Sequence, residues 1–347
     1  MKSLLTICIS LVIITTGLAQ TVRRVNNNVG ISGTNVYATF ALAHTAAANN
    51  DIIIVEPSST SYGDITITKP LKIYGNGYYL TINTELKADQ RSSTFGSIDF
   101  NTGSGGSEIY GVATTYIYIY GVSNLVLSRN NVSSFNYLTS NKAGTTNTNV
   151  TNILISRNYI GNLTPSTVAG TVSNFLITNN IIGYITANND PIIQNWVVRN
   201  NTFIGNAGST TLVNSVLENN FFPAGGSSPG LTNVTISYNV STAANFSSGI
   251  GNVNNYVLAP INDSGVAVSE LLGTGSGISL DEAYIVKAGS GLKTLGNGST
   301  EVGAYGGSTP YIVSGIPPIP SIVNMISSGT GDTTNPLKVT LTVKSNN

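Results

Sequence analysis

The sequence predicts an all-β parallel β-helix, a solenoid of short strands stacked coil on coil. Three observations predict it: six asparagine-led segments that align, a spacing near twenty residues, and apolar alternation inside each copy. The segments are NLVLSRNNV from Asn124, NILISRNYI from Asn152, NFLITNNII from Asn174, NWVVRNNTF from Asn195, NSVLENNFF from Asn214 and NVTISYNVS from Asn233. Their starts lie 28, 22, 21, 19 and 19 residues apart. Asn recurs at position seven of every copy, as Asn130, Asn158, Asn180, Asn201, Asn220 and Asn239.

Positions two and four carry Leu125/Leu127, Ile153/Ile155, Phe175/Ile177, Trp196/Val198 and Val234/Ile236, with Ser215/Leu217 the weakest pair. Alternation at period two makes each copy a strand with those side chains on one face. Position nine is apolar in Val132, Ile160, Ile182, Phe203 and Phe222. Coils stacked about 4.8 Å apart turn such positions into columns of like residues. Asn tolerates the left-handed backbone of a corner, and its amide can bond the Asn above and below, so both Asn sets are read as ladders. A leucine-rich repeat needs a consensus these copies lack, and propeller blades are longer.

From the start of the chain, MKSLLTICISLVIITTGLAQ places Lys2 before an apolar run at 4–16 and small residues, Gly17 and Ala19, at a cleavage site. Residues 1–19 read as a secretory signal peptide, with a membrane anchor as the alternative. The run is short for a bilayer. Cys8 is the single Cys and sits in that leader, so the exported chain must hold its fold without disulfides. No later segment is apolar enough to span a membrane. Residues 40–51, FALAHTAAANND, form the one short helix the pattern allows, placed to plug the first coil's open edge.

After the helix come IIIVEP and DITITKPLKIYGNG. Residues 37–77 thereby resemble the opening of secreted right-handed parallel β-helix proteins of the pectate-lyase-like superfamily, Bacteroidetes type. That opening has a capping helix, a strand ending in Glu-Pro and the run T-I-x-K-P-L-x-I-x-G-x-G, here TITKPLKIYGNG. Residues 284–307, YIVKAGSGLKTLGNGSTEVGAYGG, resemble the closing coil of these proteins, with Gly291 where Pro is usual and Glu301 where Asp is usual. The resemblance covers roughly residues 30–307 and implies a right-handed β-helix; with its N-terminal cap the domain is read over residues 20–307, and a catalytic set is not expected in it. The superfamily spans lyases, hydrolases, epimerases and many members without known activity, so fold alone assigns no reaction.

Residues 308–347 form a Pro-rich apolar tail and terminal strand. Val339, Leu341 and Val343 alternate with Lys338, Thr340, Thr342 and Lys344 there, an amphipathic strand. It is expected to dock on its own solenoid or cap the last coil; the alternative is addition to another molecule's sheet edge. Position three of the repeats should face outward, yet reads Val126, Leu154, Leu176, Val197 and Val216, ending at Thr235. An apolar stripe of this kind is covered or used for contact. The tail, through Ile316, Ile319, Ile322, Val323 and Ile326, is favoured as its cover over a second subunit.

Charge is sparse and balanced: 15 Lys+Arg against 15 Asp+Glu, 9% of the chain. That leaves no electrostatic footprint for nucleic acid. One His and one Cys exclude a Cys/His zinc site, and no metal or cofactor is expected. Sugar hydrolysis needs two facing carboxylates. Between residues 110 and 260 the acids are only Asp190 and Glu218. Glu218 and Arg199 should face each other as an exposed ion pair. Glu85, Asp89, Asp99 and Glu108, with Lys87, Arg91 and nearby tyrosines, are the place to look for a catalytic pair, though solvated loop charges explain them as well. His44 reads as a packing or capping residue. No catalytic residue is assigned.

The features favour a secreted, non-catalytic extracellular protein with a structural, adhesive or matrix role, able to assemble with itself through the stripe and terminal strand. The alternative is a polysaccharide lyase, a glycoside hydrolase or a glycan-binding β-helix, with Arg129, Arg157, Tyr116 and Tyr118 as glycan contacts. Partners are then a second copy or an extracellular polysaccharide. Thr333, in Asp332-Thr333-Thr334, matches an O-glycosylation pattern.

Overall fold

A computed structural model describes residues 20–138, 142–144, 148–166, 171–185, 192–205, 211–223, 230–241, 250–253, 256–257 and 270–346. Residues 1–19, which the sequence reading takes as a signal peptide, and Asp190 lie outside the described residues. The chain winds into a parallel β-helix whose coils build sheets of 12, 10 and 5 strands. The six segments stack in register: Val126 pairs with Leu154, Leu154 with Leu176, Leu176 with Val197, Val197 with Val216 and Val216 with Thr235. Positions two and four point into the bore, and Leu127, Ile155, Ile177, Val198, Leu217 and Ile236 are all fully buried. Aromatic residues stack inside it. Phe175 and Trp196 lie parallel at 4.8 Å, and Phe203 and Phe222 at 4.7 Å.

Each of the six copies turns twice through left-handed backbone. Position one supplies the first turn, with Asn124, Asn152, Asn174, Asn195, Asn214 and Asn233 at φ between 48° and 63°. Position six supplies the second: Arg129, Arg157, Asn179, Asn200, Asn219 and Tyr238 at 53° to 58°. Asn reaches this region most readily among residues with a side chain. The two Asn sets differ in role. Position-seven residues Asn130, Asn158, Asn180, Asn201, Asn220 and Asn239 are buried and form a continuous ladder, each amide donating to the next oxygen at 2.9–3.1 Å. Position-one side chains are exposed, with side-chain bonds between Asn152 and Asn124 and between Asn233 and Asn214. Asn174 turns to Thr151 instead. The expectation of two full ladders is corrected accordingly: position one serves the backbone turn, position seven the ladder.

The helix spans Phe40–Ala46, capped by Thr39 Oγ1, which accepts from Leu42 N–H. It buries Phe40 and Ala43 beside the first coils. Phe40 meets Phe95 edge-on at 6.0 Å.

The C-terminal third departs from the sequence reading. Residues 284–307 do not close a coil. Residues 270–322 turn back and run along the outside of the solenoid, from Asn219 near its C-terminal end to Tyr78 and Ala88 near its start. The outward position-eight residues Tyr159, Ile181, Phe221 and Val240 are apolar because this returning chain covers them. Leu271, Val286, Leu292 and Val302 pack on Phe221 and Val240, and Ala304 and Tyr311 on Ile181. The terminal strand Val339–Lys344 neither docks on the solenoid nor caps it. It pairs antiparallel with Ser321–Ser327 of the same tail as a two-stranded ribbon.

Candidate functional site

The site is the corner at position six and the outer faces beside it. An αL residue points its side chain outward there, and five of these side chains or their backbones hold the returning strap. Asn219 O accepts from Gly303 N–H at 2.9 Å, and Asn219 Oδ1 from Asn297 N–H at 2.8 Å. Asn179 Nδ2 donates to Ala304 O and Gly306 O. Asn200 lies against Gly307. Arg157 Nε donates to Thr309 O, and Arg129 Nη1 to Ile316 O at 2.8 Å and Asn346 O at 3.1 Å. Gly315 passes so close to Arg129 O and the Tyr78 ring that a Cβ would overlap both, and its φ is 55°.

A polar knot ties the strap to the first coils. Asp281 is fully buried and accepts from Ser314 N–H at 2.7 Å and from Ser279 Oγ. Tyr78 and Tyr311 share a hydroxyl bond, and Asn83 Nδ2 donates to Ser279 Oγ and Ser314 Oγ. Burial raises the Asp281 carboxyl above its ordinary value, against the pull of its donors.

The strap borders the apolar stripe rather than lying on it. Val126, Leu154, Leu176, Val197 and Val216 are half-buried. The first three floor a groove of about 400 Å³, with Thr309 and Pro318 on its strap side. Of the tail residues expected to cover the stripe, Ile316 is buried in the strap, while Ile322 and Ile326 are exposed on the ribbon. Arg129, Arg157 and Arg199 also line this groove. Arg129 is 4% exposed, and its Nε has no hydrogen-bond partner among the described residues. Burial, then the neighbouring Arg157 charge, pulls its guanidinium down to about 10. Hydroxyls from Ser128 and Ser156, bonded at 3.0 Å, sit between the arginines and the stripe.

Tyr116, Tyr118 and Tyr120 occupy the outer face of the 10-stranded sheet, in a row with ring centroids 5.6 and 5.8 Å apart. Tyr116 is 42% exposed. Lys142 closes the row, bonding Asp99 and lying 5.8 Å from the Tyr120 ring. The structure therefore brings Arg129 and Arg157 together on one face and the tyrosines together on another.

The acids do not converge. Asp89 pairs with Arg91, Asp99 with Lys142 and Glu108 with Lys72. Glu218 sits beside Arg199 in register, but its Oε1 accepts from Asn297 Nδ2, and no ion pair joins Glu218 to Arg199 among the described residues. The strap removes the partner that position counting assigned. His44 Nε2 accepts from Thr68 N–H, and burial with the Lys69 charge keeps the ring below its ordinary value. Among the described residues, no three His, Cys, Asp or Glu side chains are grouped to hold a metal ion, and no helix is long and apolar enough to cross a membrane. Thr333 is exposed in the turn of the ribbon, beside Asp332, whose Oδ1 accepts from Thr334 and Asn335 N–H.

Fold and site together define a parallel β-solenoid fastened by an external strap of its own chain. No family model, no curated protein and no solved structure matches it.

Proposed function

We propose that the protein is a secreted, non-catalytic extracellular protein with a structural, adhesive or matrix role, and that it assembles with itself. The observation that carries this reading is the exposed ribbon. Among the described residues Val339–Lys344 pairs on one side only, and Met325, Leu341 and Val343 are 60%, 49% and 59% exposed beside it. Isolated two-stranded ribbons are marginal in water, and an open edge invites a further strand. The half-exposed stripe supplies a second contact face. The paired carboxylates support a rigid scaffold more than a reaction. The runs TITKPLKIYGNG and EVGAYGG support kinship with the pectate-lyase-like superfamily. The leader at 1–19 supports export, and Thr333 offers an O-glycosylation point.

A second reading is glycan binding or carbohydrate turnover. It is favoured by the Tyr116–Tyr118–Tyr120 row and by the Arg129–Arg157 groove. Electron microscopy of purified residues 20–347 tests the first reading: ordered polymers are expected, and only discrete monomeric rods at high concentration would overturn self-assembly. Incubation with polysaccharides, read by reducing ends and unsaturated products, tests the second. Robust turnover would remove the non-catalytic reading.

A further inference from the structure

A second groove lies under the ribbon, against the first coils, and its volume is about 770 Å³. That is within the range of small-ligand sites. Its tail wall is apolar: Ile319, Ile322 and Met325, the last two 42% and 60% exposed. On this ribbon, pairing of Ile322 with Val343 and Met325 with Leu341 puts all four side chains on one face. The opposite wall comes from Ile54, Glu56, Asn76 and Lys87 on the early coils.

Lys87 is the exception on that wall. It is only 7% exposed, yet its ammonium has no hydrogen bond or ion pair among the described residues. The neighbouring charges are already matched. Glu56 pairs with Arg24 at 2.5 Å and Asp89 with Arg91 at 2.6 Å. From the tail side, Ile319, Pro320, Ser321, Ile322 and Met325 bring no titratable group. Counted with Arg24 and Arg91, these charges leave Lys87 without a carboxylate bonded to it, although the Glu56 charge reaches it, and a desolvated ammonium without a bonded partner is costly. An uncharged apolar occupant would leave that charge unmatched. A neutral sugar would leave Ile322 and Met325 against polar groups.

We infer that this groove binds an alkyl carboxylate, with its head on Lys87 and its chain along Ile319, Ile322 and Met325. The inference is independent of the proposed self-assembly. It also gives the ribbon's apolar face an occupant without using the ribbon's backbone edge.

The test uses residues 20–347 and three probes by calorimetry: decanoate below its micelle concentration, decanol and acetate. Decanoate is expected to bind and acetate not. Lys87→Met should weaken decanoate at least about ten-fold and leave decanol unchanged, while Lys87→Arg should keep most of the affinity. Circular dichroism melts establish that both variants fold. Burial lowers the Lys87 amine to about 8, so raising the pH from about 7 to about 9 should cut decanoate affinity about ten-fold. A variant-free readout is lysine acetylation mapped by mass spectrometry, in which decanoate, not decanol, should protect Lys87. Equal binding of decanol and decanoate, an unaffected Lys87→Met variant, unprotected Lys87, or no decanoate binding would each overturn the inference.

Discussion

Asn180 donates its side-chain amide to Asn201 Oδ1 at 3.0 Å, and the same oxygen accepts the Asn180 backbone N–H at 3.0 Å. The second Nδ2 hydrogen is used too, on the Ile155 and Thr178 carbonyls. One residue thus completes the polar needs of a buried corner and of the coil before it, since Asn158 bonds Asn180 in the same way. Asn180→Ala would strand several buried donors, and unmade buried bonds cost about 1–3 kcal/mol each. A loss of about 3 kcal/mol is expected, read as a shifted urea midpoint. Asn174 provides the contrast. It is exposed at φ 57°, so Asn174→Gly should change stability by less than about 0.5 kcal/mol. Asn174→Val, forced into left-handed backbone, should cost about 1–2 kcal/mol. Equal effects at the two sites would contradict the division between turn and ladder.

The strap gives the next prediction. Gly315→Ala places a methyl against the Arg129 carbonyl and the Tyr78 ring at a positive φ, with no flexible side-chain end to yield on the carbonyl side. Hydrogen exchange should rise across residues 303–318 while the ladder amides of Asn158 and Asn180 keep their protection. A variant ending at residue 307 goes further, baring Arg129, Asn83 and the Tyr78 hydroxyl. It should bind a hydrophobic dye or self-associate. A truncated chain that stays soluble and monomeric with no added dye signal would show that the tail covers nothing of consequence.

The coils were legible in the sequence because their physics is local and repeated. Asn at positions one and seven, with apolar residues at two and four, sets turn, ladder and core in each copy independently. The strap is a single long-range event, and nothing in residues 284–307 repeats. Its trace did exist on the solenoid: Tyr159, Ile181, Phe221 and Val240 are apolar at an outward position, as the stripe is. Position six carried a signal too, since Arg129 and Arg157 stand where later copies have Asn179, Asn200 and Asn219. Pairing Arg199 with Glu218 failed for the same reason. Register placed them side by side, but Asn297, far along the chain, took the carboxylate. Lys87 was visible only as one charge among several, because its isolation depends on Glu56 and Asp89 having found other partners.

Acid should loosen the N-terminal cap. Asp51 is buried, which alone would raise its carboxyl. Bonds from Ala48 N–H at 2.9 Å, Thr21 N–H at 3.0 Å and the Arg23 guanidinium outweigh burial and hold it below its ordinary value. The folded state therefore binds its proton less readily than the unfolded state. The stability Asp51 contributes is complete above the ordinary carboxyl range and is lost as pH falls through its folded value. Melting temperatures from pH 7 down to 2.5 should fall in wild type, and less steeply in Asp51→Asn, which starts lower. Asp281, raised by burial, acts in the opposite sense, its contribution declining as pH rises from the ordinary carboxyl value to its raised one. A steeper acid limb in Asp51→Asn would refute this assignment.

The aromatic core makes a less intuitive prediction. Tyr137 lies within the bore at 0% exposure, its ring 5.2 Å from Phe175 and 6.0 Å from Trp196. Its hydroxyl has no hydrogen-bond partner among the described residues, and burial pushes the phenol far above its ordinary value. A buried hydroxyl without a partner costs about 1–3 kcal/mol relative to one left in water. Tyr137→Phe removes that oxygen, keeps the ring and leaves a void smaller than a methyl group. Stability should rise by about 1 kcal/mol, seen as a higher melting temperature with an unchanged urea m-value. Tyr137→Leu is the control for shape. It also discards the hydroxyl but gives up ring contacts with Phe175 and Trp196, and should be destabilised by about 1–3 kcal/mol. If Tyr137→Phe were destabilising too, the hydroxyl must be bonded in solution, and the bore at this coil would hold a polar partner, such as an ordered water.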